Sequence, residues 1–294
     1  MPAEATEILQ KSELQAQVVQ ALQSHLPPQS LLWTDEQTAP FECDGLTAYR
    51  QRPLVVALPE TYEQVQDILR VCHRLGVPVV ARGAGTGLSG GALPHERGVT
   101  LSLARFNRIL AIDPLARTAR VQCGVRNLAI SEAAAAHGLY YAPDPSSQIA
   151  CTIGGNVAEN SGGVHCLKYG LTVHNVLQVS GFTVEGEPIE FGSQALDAPG
   201  YELLALVHGS EGMLAVTTEV TVKLLPRPRL ARCIMASFDD VRRAGEAVAA
   251  GVAAGIIPAG LEMMGKPMTA AGGGFVAPGH ARTPCAGPGR GGGG

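Results

Sequence analysis

Residues 82–91 form a glycine-rich segment whose composition suits the binding of a phosphate. The segment follows a short apolar run at residues 77–81, which predicts a buried strand. Glycines let the backbone turn tightly and approach a ligand, and successive N–H groups in such turns bind anions. Arg82 adds a fixed positive charge. We therefore expect a phosphate or pyrophosphate to be held by Arg82, Gly83, Ala84, Gly85, Thr86, Gly87, Ser89, Gly90 and Gly91.

The spacing Gly85-x-Gly87-x-x-Gly90 also matches the dinucleotide fingerprint of Rossmann folds. That fold needs a helix directly after the loop, but Pro94 and Gly98 interrupt the following residues. Residues 98–103 predict another strand, so the context is strand–loop–strand and disfavours a Rossmann NAD enzyme. A glycine-rich surface turn is the remaining alternative.

A second glycine-rich segment could contact a ring system as well as phosphates. A rigid turn at residues 143–147, with prolines on both sides of Asp144, leads into residues 152–163, where two glycine pairs frame Asn156 and Asn160. Asparagine amides donate and accept hydrogen bonds, so they can bind the edge of a heterocycle. The alternative is a pair of tight turns with locally capped asparagines. Two such segments favour a cofactor with phosphates and a ring.

No catalytic residue can be named from the sequence. His165 and His208 lie beside glycine motifs, but local hydrogen bonding explains such histidines more simply than catalysis does. Arg126 is better explained as a helix-start or surface charge. No histidine–carboxylate cluster has metal-ligand spacing, so we predict no metal site.

The predicted elements that position these segments follow an irregular α+β order. Helices are predicted at residues 12–26, 61–75 and 126–137, and strands at 54–58, 77–81, 98–103, 109–113 and 119–123. A hairpin at 176–191 and a long strand at 214–225 follow. Beyond the prolines at 226 and 228, a strand at 233–237 and a helix at 239–254 indicate the start of a second domain.

Composition narrows the classes of function. Lys plus Arg is 22 and Asp plus Glu is 26, and a net charge of −4 disfavours nucleic-acid binding. Residues 1–12 do not match a signal peptide, and the longest apolar run, at 247–261, is too short to span a membrane. Seven scattered cysteines without C-x-x-C spacing indicate reduced thiols. We therefore expect a soluble, cytoplasmic protein.

Residues 272–294 lack the apolar periodicity of the helices and strands predicted before them. Residues 272–294 are dominated by Gly, Pro, Ala and Arg without periodicity, a composition that predicts disorder. These residue types are also what GC-rich codons yield out of frame. We therefore expect a truncated second domain. The predicted organisation is an N-terminal helical arm at 1–53, a cofactor domain at 54–228, the start of a substrate domain at 229–264 and a tail at 265–294.

Several of these motifs, in this order, resemble the FAD-binding domain of the vanillyl-alcohol-oxidase superfamily. They are residues 82–91, 143–147, 152–163, 168–170 and 209–225, and the likeness covers roughly residues 54–261. Within the superfamily the chain is most similar to the group of bacterial glycolate oxidase flavin subunits and related D-lactate dehydrogenases. The resemblance implies an α+β, PCMH-type FAD-binding domain of two α/β subdomains, followed by the start of a truncated substrate domain.

The resemblance also implies roles for individual residues. Residues 82–91 would hold the FAD pyrophosphate, Glu211 and Thr217 would approach the other side of the cofactor, and the residues along the pyrophosphate, ribityl chain and ring would be Pro143, Asp144, Thr152, Gly155, Asn156 and Asn160. Covalent members place a histidine where this chain has Thr86, so the FAD should be non-covalent. Cys123 and Ala215 depart from the family's usual proline and glycine.

The activity that the resemblance implies is oxidation of a small 2-hydroxy acid, glycolate or D-lactate, by hydride transfer to flavin. The implied partners are other glycolate oxidase subunits, through which the protein would be peripheral to the inner membrane at most. The catalytic base and the carboxylate clamp lie in the family's substrate domain, of which this chain keeps only the start. The alternative is a catalytically incompetent FAD-binding fragment.

Overall fold

The computed structural model describes residues 3–194, 198, 200–263 and 265. They fall into two units. The first comprises the described part of Met1–Gly163 together with Tyr169–Arg227, and the second comprises Val164–Lys168 and the described part of Pro228–Gly294. The predicted tail at 265–294 lies outside the described residues except for Gly265.

The helices of the described residues are mostly short. The α-helices are α1 (Ala3–Leu22), α2 (Asp35–Thr38), α3 (Tyr62–Leu75), α4 (Asn127–Ala134), α5 (Ile153–Glu159), α6 (Cys166–Tyr169), α7 (Leu203–Val207) and α8 (Val241–Ala253). Single 3-10 turns occupy Pro28–Ser30, Ala39–Phe41, Ala135–His137 and Thr172–His174. Among the helices described, none is both long and apolar enough to cross a bilayer.

Three sheets organise the first unit. The strands are β1 (Leu31–Leu32), β2 (Val55–Ala57), β3 (Val79–Arg82), β4 (Val99–Ser102), β5 (Ile109–Asp113), β6 (Thr118–Gln122), β7 (Leu139–Tyr140), β8 (Val176–Phe182), β9 (Pro188–Gly192), β10 (Val216–Lys223) and β11 (Leu225–Pro226). A mixed sheet has the order β1-β2-β4-β3, with β2, β4 and β3 parallel. An antiparallel sheet has the order β5-β6-β10-β8-β9, and β7 pairs with β11.

Helix α3, which packs in the core of the mixed sheet, begins and ends at residues whose types are typical of helix caps. The Thr61 hydroxyl oxygen accepts a hydrogen bond from the Gln64 N–H, and the Gln64 side-chain oxygen accepts one from the Thr61 N–H. Gly76, at φ 65°, ends the helix in the left-handed region. Between these caps an apolar face that includes Val65, Ile68 and Leu69 is buried. The predicted helix at 61–75 is therefore confirmed.

Each large sheet has its own apolar core. The core of the mixed sheet contains α1 and α3 residues around Leu54, Leu101 and Phe106. The core of the antiparallel sheet contains Ile130 and Ile153 with residues of β6, β8 and β10. This division into two α/β subdomains agrees with the expected α+β class.

Two expectations differ from the structure. Residues 153–159 form α5, so the alternative of tight turns in the second glycine-rich segment is wrong for these residues. The predicted strand at 233–237 is wrong, because those residues have no regular structure and Ile234 and Met235 are exposed. No described strand pairs with them, and an isolated strand leaves its backbone groups without partners.

Candidate functional site

The two glycine-rich segments line one cavity of the first unit, with a volume of about 310 Å³. That volume lies at the lower end of the range for small-molecule pockets, roughly 300–1,000 Å³. The first segment lies in the loop between β3 and β4, and the second comprises α5 with the N-cap Thr152 and the residues that follow the helix. The sequence-predicted residues that line the cavity are Arg82, Gly83, Ala84, Gly85, Thr86, Gly87, Gly91, Thr152, Gly155, Asn156, Glu211 and Thr217.

The other five sequence-predicted residues do not line this cavity. The Gly90 N–H donates to Asp44, and Ser89 is exposed. The Asn160 side chain accepts a hydrogen bond from the Val173 N–H at 3.0 Å. The Pro143 carbonyl accepts one from Asn127, and Asp144 follows it in the same turn. These residues support the cavity wall or lie beside it.

The N-terminal arm contacts the glycine-rich loop at residues 82–91 through Asp44 and Gly45, and these contacts were not predicted from the sequence. The buried Asp44 accepts hydrogen bonds from the N–H groups of Leu46 and Gly90, at 3.0 and 2.9 Å. Gly45 packs so closely that an added Cβ would lie 2.8 Å from the Thr86 carbonyl oxygen. The arm thus holds the loop from its outer side.

Arg82 is fixed under the same loop. Its side chain donates to the Ala92 carbonyl at 3.2 Å, and its guanidinium lies 5.8 Å from the centre of the Phe41 ring. Burial lowers its pKa, and the nearby Cys43 and Asp44 act in the opposite direction. Since an arginine pKa starts far above neutrality, the side chain stays charged and contributes a positive end to the cavity.

Thr152 supplies a hydroxyl with no partner in the protein. It is the N-cap residue of α5, yet its side chain makes no capping hydrogen bond. Its Oγ1 is buried and unpaired, and a Cβ added at Gly83 would lie 2.4 Å from that oxygen. A buried hydroxyl without a partner is costly, so this position fits a bound ligand that supplies one. The wall therefore fits a polar cofactor at this point.

Two carboxylates on the cavity wall form an acidic counterpart to Arg82. Glu159, the last residue of α5, and Glu211 both line the cavity and are half-buried. Burial, followed by the charges of Glu211 and Asp44, raises the pKa of Glu159. Glu159 was not among the site residues predicted from the sequence, because its side chain reaches the cavity only when residues 153–159 form a helix.

The residues at which the chain departs from the expected pattern also lie at the cavity. Cys123 and Ala215 are buried and line it, as does Thr86. Burial raises the pKa of the Cys123 thiol to about 12, so this group is an inert packing residue at neutral pH.

His208 has a local structural role. Its Nδ1 lies 2.6 Å from the Leu204 carbonyl oxygen, and burial lowers its pKa. The ring does not line the cavity. Within the described residues, no group of three or more His, Cys, Asp or Glu side chains could hold a metal ion.

Comparison with known proteins identifies an FAD-binding domain in this chain. Residues 53–192 match the family model described as FAD binding domain. The glycolate oxidase subunit GlcD of Escherichia coli strain K12 is 68% identical over 247 residues, which cover 84% of this chain and 50% of that protein. A D-lactate dehydrogenase of Archaeoglobus fulgidus is 38% identical over 213 residues, covering 72% of this chain and 47% of its own.

A solved structure shares the fold. Alkyldihydroxyacetonephosphate synthase superposes with a TM-score of 0.71 at 22% identity, covering 83% of this chain and 47% of the other. The chain spans about half the length of the curated relatives it matches. The matched residues 53–192 contain both glycine-rich segments and strands of both large sheets, so the chain contains an FAD-binding domain similar to that of these FAD-linked relatives.

Proposed function

We propose that the cavity of the first unit binds FAD non-covalently, and that the protein oxidises a small 2-hydroxy acid, glycolate or D-lactate. The observation that carries the FAD site is the buried, unpaired Thr152 hydroxyl on a wall shared by both glycine-rich segments. The substrate class follows the relatives, which are a glycolate oxidase subunit and a D-lactate dehydrogenase.

The residues of the chain would act by binding and positioning. The backbone of residues 83–87 and the charge of Arg82 suit the pyrophosphate, while the Thr152 hydroxyl, next to Gly83, offers a further hydrogen bond. Pro143, Asp144 and Asn160 would hold the surrounding backbone instead of touching the cofactor. FAD, when bound, supplies a two-electron acceptor for a hydride from the substrate.

Other subunits form part of the proposal. The printed name of the Escherichia coli relative calls it a subunit, which supports assembly with further glycolate oxidase subunits. We place the protein in the cytoplasm, with any membrane contact made through those partners.

The second candidate is an FAD-binding chain without turnover. The described residues at the cavity include no histidine, and Arg82 is already engaged with the Ala92 carbonyl. Among the described residues that line the cavity, there is therefore no histidine to act as the base and no second cation to hold the substrate carboxylate. The two candidates agree on FAD binding and differ on reduction of the flavin.

One experiment separates them. The purified full chain is mixed with FAD, freed of excess cofactor and examined by absorption, before and after anaerobic addition of glycolate or D-lactate. Flavin bands that bleach support the oxidase, and bands that persist support the binding chain. A folded chain without flavin bands would overturn both. Acid precipitation then tests non-covalent binding: yellow colour must stay in the supernatant, and colour in the pellet would contradict it.

A further inference from the structure

Glu159 and Glu211 direct their carboxylates at the same point of the glycine loop. A Cβ added at Gly91 would lie 2.8 Å from Oε2 of Glu211 and 3.2 Å from Oε1 of Glu159. The same oxygen of Glu159 lies 3.2 Å from the corresponding position at Gly87. The two acids therefore crowd one side of the loop that is proposed to hold the pyrophosphate.

The backbone forces this proximity. Glu211 adopts a left-handed backbone conformation with φ 52°, which is unfavourable for a residue with a side chain. Its N–H donates to the carbonyl of Ala158 at 2.9 Å, directly beside Glu159. This bond joins the end of α5 to the loop before β10 and so holds the backbones that carry the two acids next to each other.

The neighbouring charges do not neutralise the pair. Asp44 adds a third acid, and Arg82, the nearby cation, is turned towards the Ala92 carbonyl and Phe41. In the part of the chain that the structure describes, no salt bridge involves Glu159 or Glu211. A dianionic pyrophosphate entering this cavity would therefore meet, besides the positive charge of Arg82, the negative charges of Glu159 and Glu211, which Arg82 does not pair with.

We propose that Glu159 and Glu211 share one proton when the cavity holds FAD, so that cofactor binding takes up a proton from solvent. This inference rests on the proposed function. The proton forms an O–H bond on one carboxyl, which leaves the pair with a single negative charge, as in other close carboxyl pairs. The raised pKa of Glu159 is consistent with the arrangement. An independent sign of a ligand in the same cavity is the unpaired, buried Thr152 hydroxyl.

The sign of the effect follows from linkage. If FAD binds the protonated pair better, then the complex holds more protons than the free chain, and affinity falls as the pH rises. Uptake of one proton corresponds to about a tenfold loss of affinity per pH unit in the window between the pKa of the free pair and that of the occupied pair.

The test measures FAD affinity and proton uptake on the full chain. FAD is titrated calorimetrically into the flavin-free protein between about pH 6 and pH 8, in two buffers with different ionisation enthalpies. The difference between the buffers counts the protons taken up. We expect uptake approaching one proton for the natural chain and much less for Glu159→Gln and for Glu211→Gln. Both variants should bind FAD more tightly than the natural chain at the high end of the range.

Glu132→Gln, on the exposed face of α4, is the matched control and should behave as the natural chain does. Tight binding without proton uptake, or uptake that persists in both glutamine variants, would overturn the shared proton while leaving the FAD site intact. Absence of FAD binding at every pH would overturn the proposed function, and this inference with it.

Discussion

The Asn156 side-chain amide donates a hydrogen bond of 2.8 Å to Oδ1 of Asn127, and the Asn127 amide donates one of 2.9 Å to the Pro143 carbonyl. Both asparagines are buried. The two bonds connect the start of α5, the start of α4 and the proline turn. The Asn156 side chain thus holds the wall of the cavity in place, and only a small fraction of this residue is exposed.

Replacing Asn127 by alanine should destabilise the flavin-free chain by about 1–3 kcal/mol, because two buried polar groups lose their partner. Asn127→Asp keeps the acceptor for Asn156 but places a buried carboxylate against the Pro143 carbonyl, so it should destabilise the chain at least as much as alanine does. Urea unfolding measures both effects. Asn107→Ala, at an exposed position, is the control. If Asn127→Ala and Asn107→Ala had the same free energy of unfolding, the two hydrogen bonds of Asn127 would not contribute to stability.

Thr152→Val should separate stability from cofactor binding. The hydroxyl makes neither a capping bond nor any other hydrogen bond in the protein, so valine should leave the flavin-free chain equally or more stable. If the hydroxyl bonds to FAD, the affinity should fall about tenfold, since a net hydrogen bond is worth about 0.5–1.5 kcal/mol. Thermal unfolding and flavin titration measure the two quantities. Unchanged FAD affinity would remove Thr152 from the binding site.

Much of the fold could be predicted because its signals are local. Thr61 and Gly76 mark the ends of α3 in the sequence as clearly as in the structure. The glycine loop was also recognisable, since its residue types need no distant partner to suggest close backbone approach.

The support of the site could not be predicted, because it depends on contacts between distant residues. Asp44 reaches the Gly90 N–H across 46 positions of the sequence. Glu159 was missed because the glycine pair at 154–155 disfavours a helix in the sequence, whereas residues 153–159 form α5. Asn160 looked like a ligand-binding amide, but its side chain is engaged with the Val173 N–H.

Gly154→Ala should damage both stability and FAD binding. An added Cβ would lie 2.7 Å from the Cys123 Cβ and 3.1 Å from the Cys123 carbonyl oxygen, so α5 would have to move away from the end of β6. Overpacking of this kind costs about 1–3 kcal/mol. Gly245→Ala, in the open on α8, is the matched control and should be neutral or slightly stabilising. Equal unfolding midpoints for the two variants would contradict this account of the glycine.

Tyr62 links the two subdomains and should give the fold a dependence on alkaline pH. Its hydroxyl is hydrogen-bonded to Glu219 on β10 and accepts a bond from Gln122 at 3.2 Å. Burial, and then the bond to Glu219, raise the Tyr62 pKa to about 12. In the unfolded chain a tyrosine titrates near pH 10. Between about pH 10 and pH 12 the folded chain therefore holds a proton that the unfolded chain has lost, so stability must fall as the pH rises.

Tyr62→Phe should remove this part of the pH dependence. At neutral pH the variant should be less stable by about 1 kcal/mol, since Glu219 and Gln122 lose a buried partner. The gap should narrow above about pH 10, because the natural chain then loses the contribution of its protonated hydroxyl. Urea unfolding across this range measures the gap, with Tyr49→Phe at an exposed position as the control. A gap that stays constant or widens with pH would show that the proton on Tyr62 does not hold the subdomains together.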